Sequence, residues 1–211
     1  MDILRKPCGL SIDEDRKIVF VHIPRTGGTS IVSIMKTINP KIEDLGVRPY
    51  SIFKKEGYNS FTIVRHPYER FISAYNVITK EDQGSDCPCD LCFNRRRLVN
   101  FFRNNDINEC IKFLDDNPSY MLGKQTPGCF TAQTYFISSV NHINVDNVIY
   151  YEDSKSKKKF IKKYYGDIDL PFINKIDSDK QKIYDSISDE SFNTLNMFYW
   201  LDFKLLNYER R

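Results

Sequence analysis

The stretch that decides the fold runs from Ile18 to Ser30 and reads IVFVHIPRTGGTS. Its first part, Ile18 to Ile23, is a short apolar run rich in β-branched residues, which predicts a buried strand. Pro24 lacks the N–H that a central strand needs, so we expect the strand to stop there. Gly27 and Gly28 then predict a turn in which a ligand can approach the main chain closely.

A helix is predicted to follow the glycines and to open at Thr29 or Ser30. Its apolar face consists of four residues at helical spacing: Ile31, Ile34, Met35 and Ile38. A strand, a glycine turn and a helix N-terminus form a general anion cradle, because free N–H groups and the helix dipole favour negative charge. Arg25 adds a fixed positive charge, and Thr29 and Ser30 add hydroxyl donors.

This loop departs from the Walker A motif. That motif places Lys directly before its Ser or Thr, whereas Gly28 precedes Thr29 here and the cation, Arg25, lies earlier. The loop alone therefore leaves open a glycine turn that binds no ligand.

A second segment, Phe61 to Asn76, reads FTIVRHPYERFISAYN. Phe61 to Val64 predicts another short buried strand that ends at Arg65, and Pro67 suits the first turn of a following helix. Ser73 falls on the polar face of that helix. We therefore expect Arg65 and Ser73 to reach a second anion beside the same sheet.

The two segments together resemble the paired signature of sulfotransferases that use 3′-phosphoadenosine 5′-phosphosulfate (PAPS), and are most similar to the carbohydrate-type branch. The resemblance implies that the first loop binds the 5′-phosphosulfate through six residues: Arg25, Thr26, Gly27, Gly28, Thr29 and Ser30. It also implies that Arg65 and Ser73 bind the 3′-phosphate. The family usually has Lys where this chain has Arg25. A looser likeness continues toward the C-terminus, so the resemblance covers most of the chain.

The alternation of strands and helices predicts an α/β fold with a mostly parallel central sheet flanked by helices. The resemblance implies the P-loop-like fold of the sulfotransferases. A chain of 211 residues is expected to form one domain. We predict a polar lead-in over residues 1–17 and a sulfotransferase domain over residues 18–211. Ligands of such sheets bind outside the carboxyl ends of the strands, where both predicted anion sites fall.

Composition is that of a soluble globular protein, with 41% hydrophobic and 28% charged residues. The net charge of +3 is too small to indicate nucleic acid, and it suits an anionic nucleotide. The sequence contains no apolar run long enough for a membrane span and no signal-peptide core at its N-terminus. Many carbohydrate sulfotransferases carry an N-terminal anchor. The expected localisation is therefore cytoplasmic, or that of a catalytic domain trimmed from a membrane-anchored enzyme.

The general base is left unassigned. Related enzymes often supply a catalytic His or Glu after the first helix, but the nearest carboxylates here are Glu43 and Asp44. Both are weak candidates, because charged residues are mostly exposed. Of the three histidines, His22 is expected to pack beneath the loop, His66 to be structural and His142 to be exposed.

Three cysteines, Cys87, Cys89 and Cys92, invite a metal interpretation. A structural zinc site normally takes four ligands, often as paired C-x-x-C units, and only Cys89 and Cys92 form such a unit. Cys110 or Cys129 would have to supply a further ligand. Free thiols or a disulfide are favoured over a metal site, and no metal is expected to be required.

An arginine-rich helix is predicted around Asn94 to Asn105, with a basic face that is either solvated or a wall for an acidic acceptor. Asp106 and Glu109 resemble a capping box at the start of the next helix. Further along, Gln133 lies in a predicted helix at a position where the family often has Gln. After a strand over Val145 to Tyr151, a helix capped by Ser154 is predicted, with a lysine run on a solvated face: Lys155, Lys157, Lys158 and Lys159.

The sequence therefore predicts transfer of a sulfuryl group from PAPS to a hydroxyl acceptor, which leaves adenosine 3′,5′-bisphosphate (PAP). Arg25 is the predicted catalytic cation. The expected acceptor is a glycan, which is either neutral or acidic. No nucleic acid is expected as a partner. One alternative is a P-loop kinase-like enzyme, which would need ATP and Mg²⁺ and which the missing Walker lysine disfavours. The other is a non-catalytic module that retains the nucleotide site or binds nucleic acid or an acidic glycan through four arginines: Arg95, Arg96, Arg97 and Arg103.

Overall fold

The computed structural model describes residues 9–45, 50, 55–80, 90–121, 128–139, 142–167 and 178–211, without the side chains of residues 90–94 and 178. The chain divides into two compact units that alternate along the sequence. The first comprises Met1–Arg65 and Gln133–Lys175, and the second comprises His66–Ala132 and Ile176–Arg211. The first unit contains the sheet, and the described elements of the second unit are helices.

The described strands are, in chain order, β1 (Leu10–Asp13), β2 (Ile18–Val21), β3 (Glu43–Asp44), β4 (Asn59–Val64), β5 (Ser138–Ser139), β6 (His142–Ile143) and β7 (Asn147–Tyr150). The described α-helices are α1 (Gly28–Ile38), α2 (Pro67–Lys80), α3 (Asp90–Asn104), α4 (Ile107–Asp116), α5 (Thr134–Ile137), α6 (Ser154–Tyr165), α7 (Ser178–Asp185), α8 (Asp189–Phe198) and α9 (Trp200–Leu205).

Five strands form one sheet in the order β3-β1-β2-β4-β7, and β5 pairs with β6 in a separate ribbon. The strands β2, β4 and β7 pair in parallel, and β1 runs antiparallel to both of its neighbours. Four of the five strands therefore point in one direction. The predicted α/β class with a mostly parallel central sheet is confirmed.

The strand β1 lies inside the stretch that the sequence predicted to be a polar lead-in. Leu10 and Ile12 are almost fully buried, and β1 pairs with β2 along its whole length. Asp13 is also buried, and its carboxylate accepts hydrogen bonds from Asn39 Nδ2 (2.9 Å) and Arg16 Nη1 (3.2 Å). Residues 1–17 thus contribute an interior strand that the sequence analysis did not assign.

The core of the first unit lies between the sheet and the helices α1 and α6. Apolar side chains from both parts meet there: Ile18, Phe20, Phe61, Ile63, Ile31, Met35, Ile149 and Ile161. The predicted cap of α6 is wrong by one residue. Asp153, rather than Ser154, caps the helix, because its carboxylate accepts hydrogen bonds from the N–H groups of Lys155 and Ser156.

The second unit is a helical assembly around an aromatic core that includes Phe71, Phe102, Phe130 and Phe192. The capping box of α4 is confirmed: Asp106 accepts from the N–H of Glu109, and the Glu109 carboxylate accepts from the N–H of Asp106. Such caps stabilise a helix by satisfying N–H groups that have no partner within it.

Arg70 is buried in the second unit. Its guanidinium donates to the carbonyl oxygens of Thr131 (2.8 Å) and Gly128 (3.0 Å). These bonds tie α2 to the irregular segment near residue 130. Arg70 therefore has a structural role that its place on a charged sequence stretch did not predict.

Within the described ranges, no helix has both the length and the apolar character that a membrane crossing needs. The cytoplasmic location expected from the sequence stays a prediction.

Candidate active site

Parallel strands bring two predicted anion-binding segments to one edge of the sheet. The strand β2 leads into the glycine loop, and its neighbour β4 ends at Val64, directly before Arg65. The next strand, β7, is followed by Tyr151, whose N–H donates to Val64 O (2.7 Å). This carboxyl edge is where parallel sheets bind ligands.

The loop after β2 contains two residues in the left-handed region, Arg25 (φ 68°) and Gly27 (φ 82°). Gly27 is also the N-cap residue of α1, and no side chain caps it. Backbone N–H groups around left-handed residues form a concave nest for anions, and the start of a helix adds partial positive charge. For a non-glycine residue such as Arg25 this conformation costs about 1–3 kcal/mol, and such strain clusters at functional sites.

The side chains of this loop face different environments. Thr26 is fully buried, and its hydroxyl donates to Ile23 O (2.9 Å), so only its backbone can serve a ligand. Thr29 is exposed, whereas Arg25 and Ser30 are half-buried. The structure therefore brings the predicted loop residues together and gives the Thr26 hydroxyl a role in holding the turn.

His22 packs beneath the loop, as the sequence predicted. Its ring is buried and stacks on Phe20, and a Cβ atom on Gly28 would lie only 2.1 Å from its Cδ2 atom. Burial lowers the pKa of His22 to about 4, against an opposing effect of Asp44 and with a further lowering by the Arg25 charge. A neutral imidazole thus fills the space that any side chain at position 28 would need.

Arg65 is buried, and Gln133 clamps its main chain. The Arg65 N–H donates to Gln133 Oε1 (2.9 Å), and Gln133 Nε2 donates to Arg65 O (2.8 Å). Gln133 is itself fully buried. The amide group of Gln133 therefore satisfies the N–H and the C=O of Arg65, as the backbone of a neighbouring strand would. The sequence placed Gln133 in a helix and carried no signal for this contact.

Ser73 lies on α2, within the second unit, and it is buried rather than on an exposed polar face. That Ser73 and Arg65 hold the same phosphate stays a prediction.

The two weak base candidates both lie on β3 and are exposed. Asp44 accepts a hydrogen bond from Ser11 Oγ (2.7 Å) and forms an ion pair with Lys36. These partners give Asp44 a structural role, and Glu43 carries no feature that marks it as a base. The general base stays unassigned.

The other two histidines occupy the places expected for non-catalytic residues. His66 Nε2 is within hydrogen-bond distance of Glu209 O (3.2 Å), and the ring packs against Tyr68 and Tyr208. His142 is exposed on β6.

The cysteine cluster falls outside the described residues, because Cys87, Cys89 and the side chain of Cys92 are not among them. Cys110 and Cys129 are buried thiols, and neither forms a disulfide with another described residue. Burial, aided by neighbouring carboxylates, raises the pKa of Cys110 to about 12, so it is a neutral thiol. In the part of the chain that the structure describes, no group of three or more His, Cys, Asp or Glu residues could hold a metal ion.

A family model described as the sulfotransferase family matches residues 9–209. The chain belongs to the sulfotransferase family. It is therefore a PAPS-dependent transferase, and this assignment replaces the kinase-like and non-catalytic alternatives. The match begins one residue before β1, in agreement with the place of that strand in the sheet. Neither the curated proteins nor the solved structures yielded a match to this sulfotransferase.

The loop of this sulfotransferase fits an anionic sulfonucleotide. The left-handed residues Arg25 and Gly27 shape a nest of N–H groups, and the start of α1 is not capped by a side chain. The residues of this loop would hold the 5′-phosphosulfate of PAPS, and Arg65, directly after the adjacent strand, would be a second cation at the same edge.

Proposed function

We propose that this sulfotransferase moves the sulfuryl group of PAPS to a hydroxyl of a carbohydrate. The observation that carries the donor assignment is the nest at Arg25 and Gly27, which opens onto α1 at the carboxyl edge of β2. Arg65 follows the adjacent parallel strand, so a second positive charge stands at the same edge. A nucleotide with two separated anionic groups would suit two positive groups that follow neighbouring parallel strands.

When bound, PAPS supplies an activated sulfuryl group. The Arg25 guanidinium neutralises negative charge on the phosphosulfate and on the bridging oxygen as charge develops there. The N–H groups of the loop act in the same way, and their fixed orientation avoids reorganisation during the reaction. Arg65 binds the remote phosphate, and its binding energy positions the reacting end of the donor.

A groove on α3 supports an acidic glycan as the acceptor. It is an open groove with a volume of about 570 Å³, and it is lined by two arginines, three asparagines and one phenylalanine: Arg96, Arg97, Asn100, Phe101, Asn104 and Asn105. Guanidinium groups pair with carboxylates and sulfates, and amide groups form hydrogen bonds with hydroxyls. Phe101 stacks on Phe113 and adds an apolar surface that suits the carbon face of a sugar ring.

The test is transfer of labelled sulfate from PAPS to a panel of glycans, some with uronic acids and some neutral. We expect transfer to the acidic glycans. Arg25→Ala should lower turnover by about 10²–10³-fold, because it removes a preorganised charge from the transition state. Lys41→Ala removes an exposed lysine near the end of α1 and serves as the matched control.

Arg25→Lys should restore part of the turnover, because it keeps the charge without the guanidinium geometry. A folded Arg25→Ala variant with the turnover of the wild type would refute the role of Arg25. Transfer to small hydroxyl compounds but to no glycan would refute the carbohydrate acceptor.

A further inference from the structure

One lysine of α6 differs from the others in its surroundings. Five lysines of this helix are exposed: Lys155, Lys158, Lys159, Lys162 and Lys163. Lys157 is half-buried. The predicted solvated face is therefore correct for the rest of the lysine run and wrong for Lys157.

Lys157 turns back toward the carboxyl edge of the sheet. Its Nζ atom donates to Tyr151 O (2.9 Å) and lies 4.5 Å from the centre of the Tyr151 ring. The guanidinium carbon of Arg65 lies 4.7 Å from the same ring centre. Two cations from different elements therefore share one aromatic ring, immediately after the strands β4 and β7.

The charge of Lys157 is influenced by two neighbouring carboxylates and by one neighbouring cation. Burial lowers the pKa of Lys157, the carboxylates of Glu152 and Asp153 raise it, and the Arg65 charge lowers it. Asp153 is already engaged as the cap of α6, and Glu152 is exposed. Like charges in a half-buried setting repel each other, and a bound anion would offset that repulsion.

We propose that Lys157 is a further binding residue for the anion that Arg65 holds, and that this anion is the 3′-phosphate of the donor. The inference rests on the proposed function, which supplies the role of Arg65. A phosphate has enough acceptor oxygens to pair with a guanidinium and an ammonium group at once. Tyr151 holds both cations beside the strand ends through cation–π contacts. Neither of the two sequence motifs includes Lys157.

The test compares two nucleotides that differ only by the 3′-phosphate, PAP and adenosine 5′-phosphate, by calorimetric titration of the full chain. Lys157→Met keeps the apolar stem and removes the charge. It should weaken PAP binding about 10- to 100-fold, the range for a lost charge-assisted hydrogen bond. The affinity for adenosine 5′-phosphate should stay within about twofold of the wild type.

Two further variants act as controls. Lys159→Met removes an exposed lysine from the same helix and should leave both affinities unchanged. Lys157→Arg keeps the charge and should retain most of the PAP affinity. If Lys157→Met does not give a folded chain by circular dichroism, Lys157→Gln takes its place.

Unchanged PAP binding by folded Lys157→Met would overturn the inference and leave the proposed function standing. An equal loss for both nucleotides would overturn it too, because Lys157 would then act away from the 3′-phosphate. Equal losses in Lys157→Met and Lys159→Met would indicate a general effect of net charge and would also overturn it. A wild-type chain that binds neither nucleotide would refute the proposed function and the inference together.

Discussion

Replacing Gln133 tests how strongly one buried amide holds the strand end that carries Arg65. Gln133→Ala removes both partners of the Arg65 main chain, a carbonyl acceptor at 2.9 Å and an amide donor at 2.8 Å. The Arg65 N–H and C=O would then be buried without them, at about 1–3 kcal/mol each. We expect the free energy of unfolding to fall by about 2–6 kcal/mol. In a chain of this size the melting temperature should drop by at least about 4 °C.

Gln133→Glu separates the two hydrogen bonds. An ionised carboxylate only accepts, so it can serve the Arg65 N–H but not the Arg65 C=O. A neutral carboxylic acid offers one donor and one acceptor and can serve both. Burial should raise the pKa of the introduced carboxyl above its unfolded value. The variant should therefore approach wild-type stability at low pH and lose that stability as pH rises through the raised pKa.

The assay is urea unfolding of the wild type and both variants at several pH values, with each variant compared with the wild type at the same pH. Gln181→Ala is the control, because Gln181 is exposed and its bond to Asp185 lies at the surface. It should change stability by less than about 0.5 kcal/mol. Two results would refute the role of Gln133 in holding the Arg65 main chain. One is a loss in free energy of unfolding for Gln133→Ala that is no larger than that of the control. The other is a loss for Gln133→Glu, relative to the wild type, that does not change with pH.

Two further predictions concern the space beneath the loop. Gly28→Ala places a Cβ atom 2.1 Å from His22 Cδ2 and should lower the free energy of unfolding by about 1–3 kcal/mol. In the double variant, His22→Ala should relieve part of that loss. If urea unfolding shows that the losses of the two single variants simply add in the double variant, the clash is contradicted. His22 has a pKa of about 4 in the folded chain against 6.5 as its ordinary value, so the unfolded chain takes up a proton first. The free energy of unfolding should therefore fall by about 3 kcal/mol as pH drops from 6.5 to 4. If the free energy of unfolding of His22→Asn depends on pH as steeply as that of the wild type, His22 is not the cause of this loss.

Local signals made part of the fold predictable from sequence. The run from Ile18 to Gly28 predicts a strand through its β-branched residues, and it predicts a turn and a helix start through its proline and glycines. Asp106 and Glu109 predict a capping box, because they are three positions apart at the start of an amphipathic helix. Each of these elements depends on residues that are neighbours in the chain, and the structure contains each of them. Two of the predicted bounds are wrong: β2 ends at Val21 rather than Ile23, and α1 begins at Gly28, after the N-cap residue Gly27, rather than at Thr29 or Ser30.

The missed features depend on tertiary contacts that no local sequence pattern reports. The strand β1 has only four residues, L-S-I-D, and becomes a strand through its pairing with β2 and β3. Gln133 meets Arg65 across 68 positions, and no periodicity reports that contact. Lys157 differs from neighbouring lysines only because α6 turns it toward Tyr151.

The contact between His22 and Gly28 also has an evolutionary consequence. The two positions share one small volume, so a substitution at either alters what the other tolerates. A side chain at position 28 costs less stability once position 22 has become smaller. In related chains the two positions should therefore vary together, although one directly follows a strand and the other begins a helix.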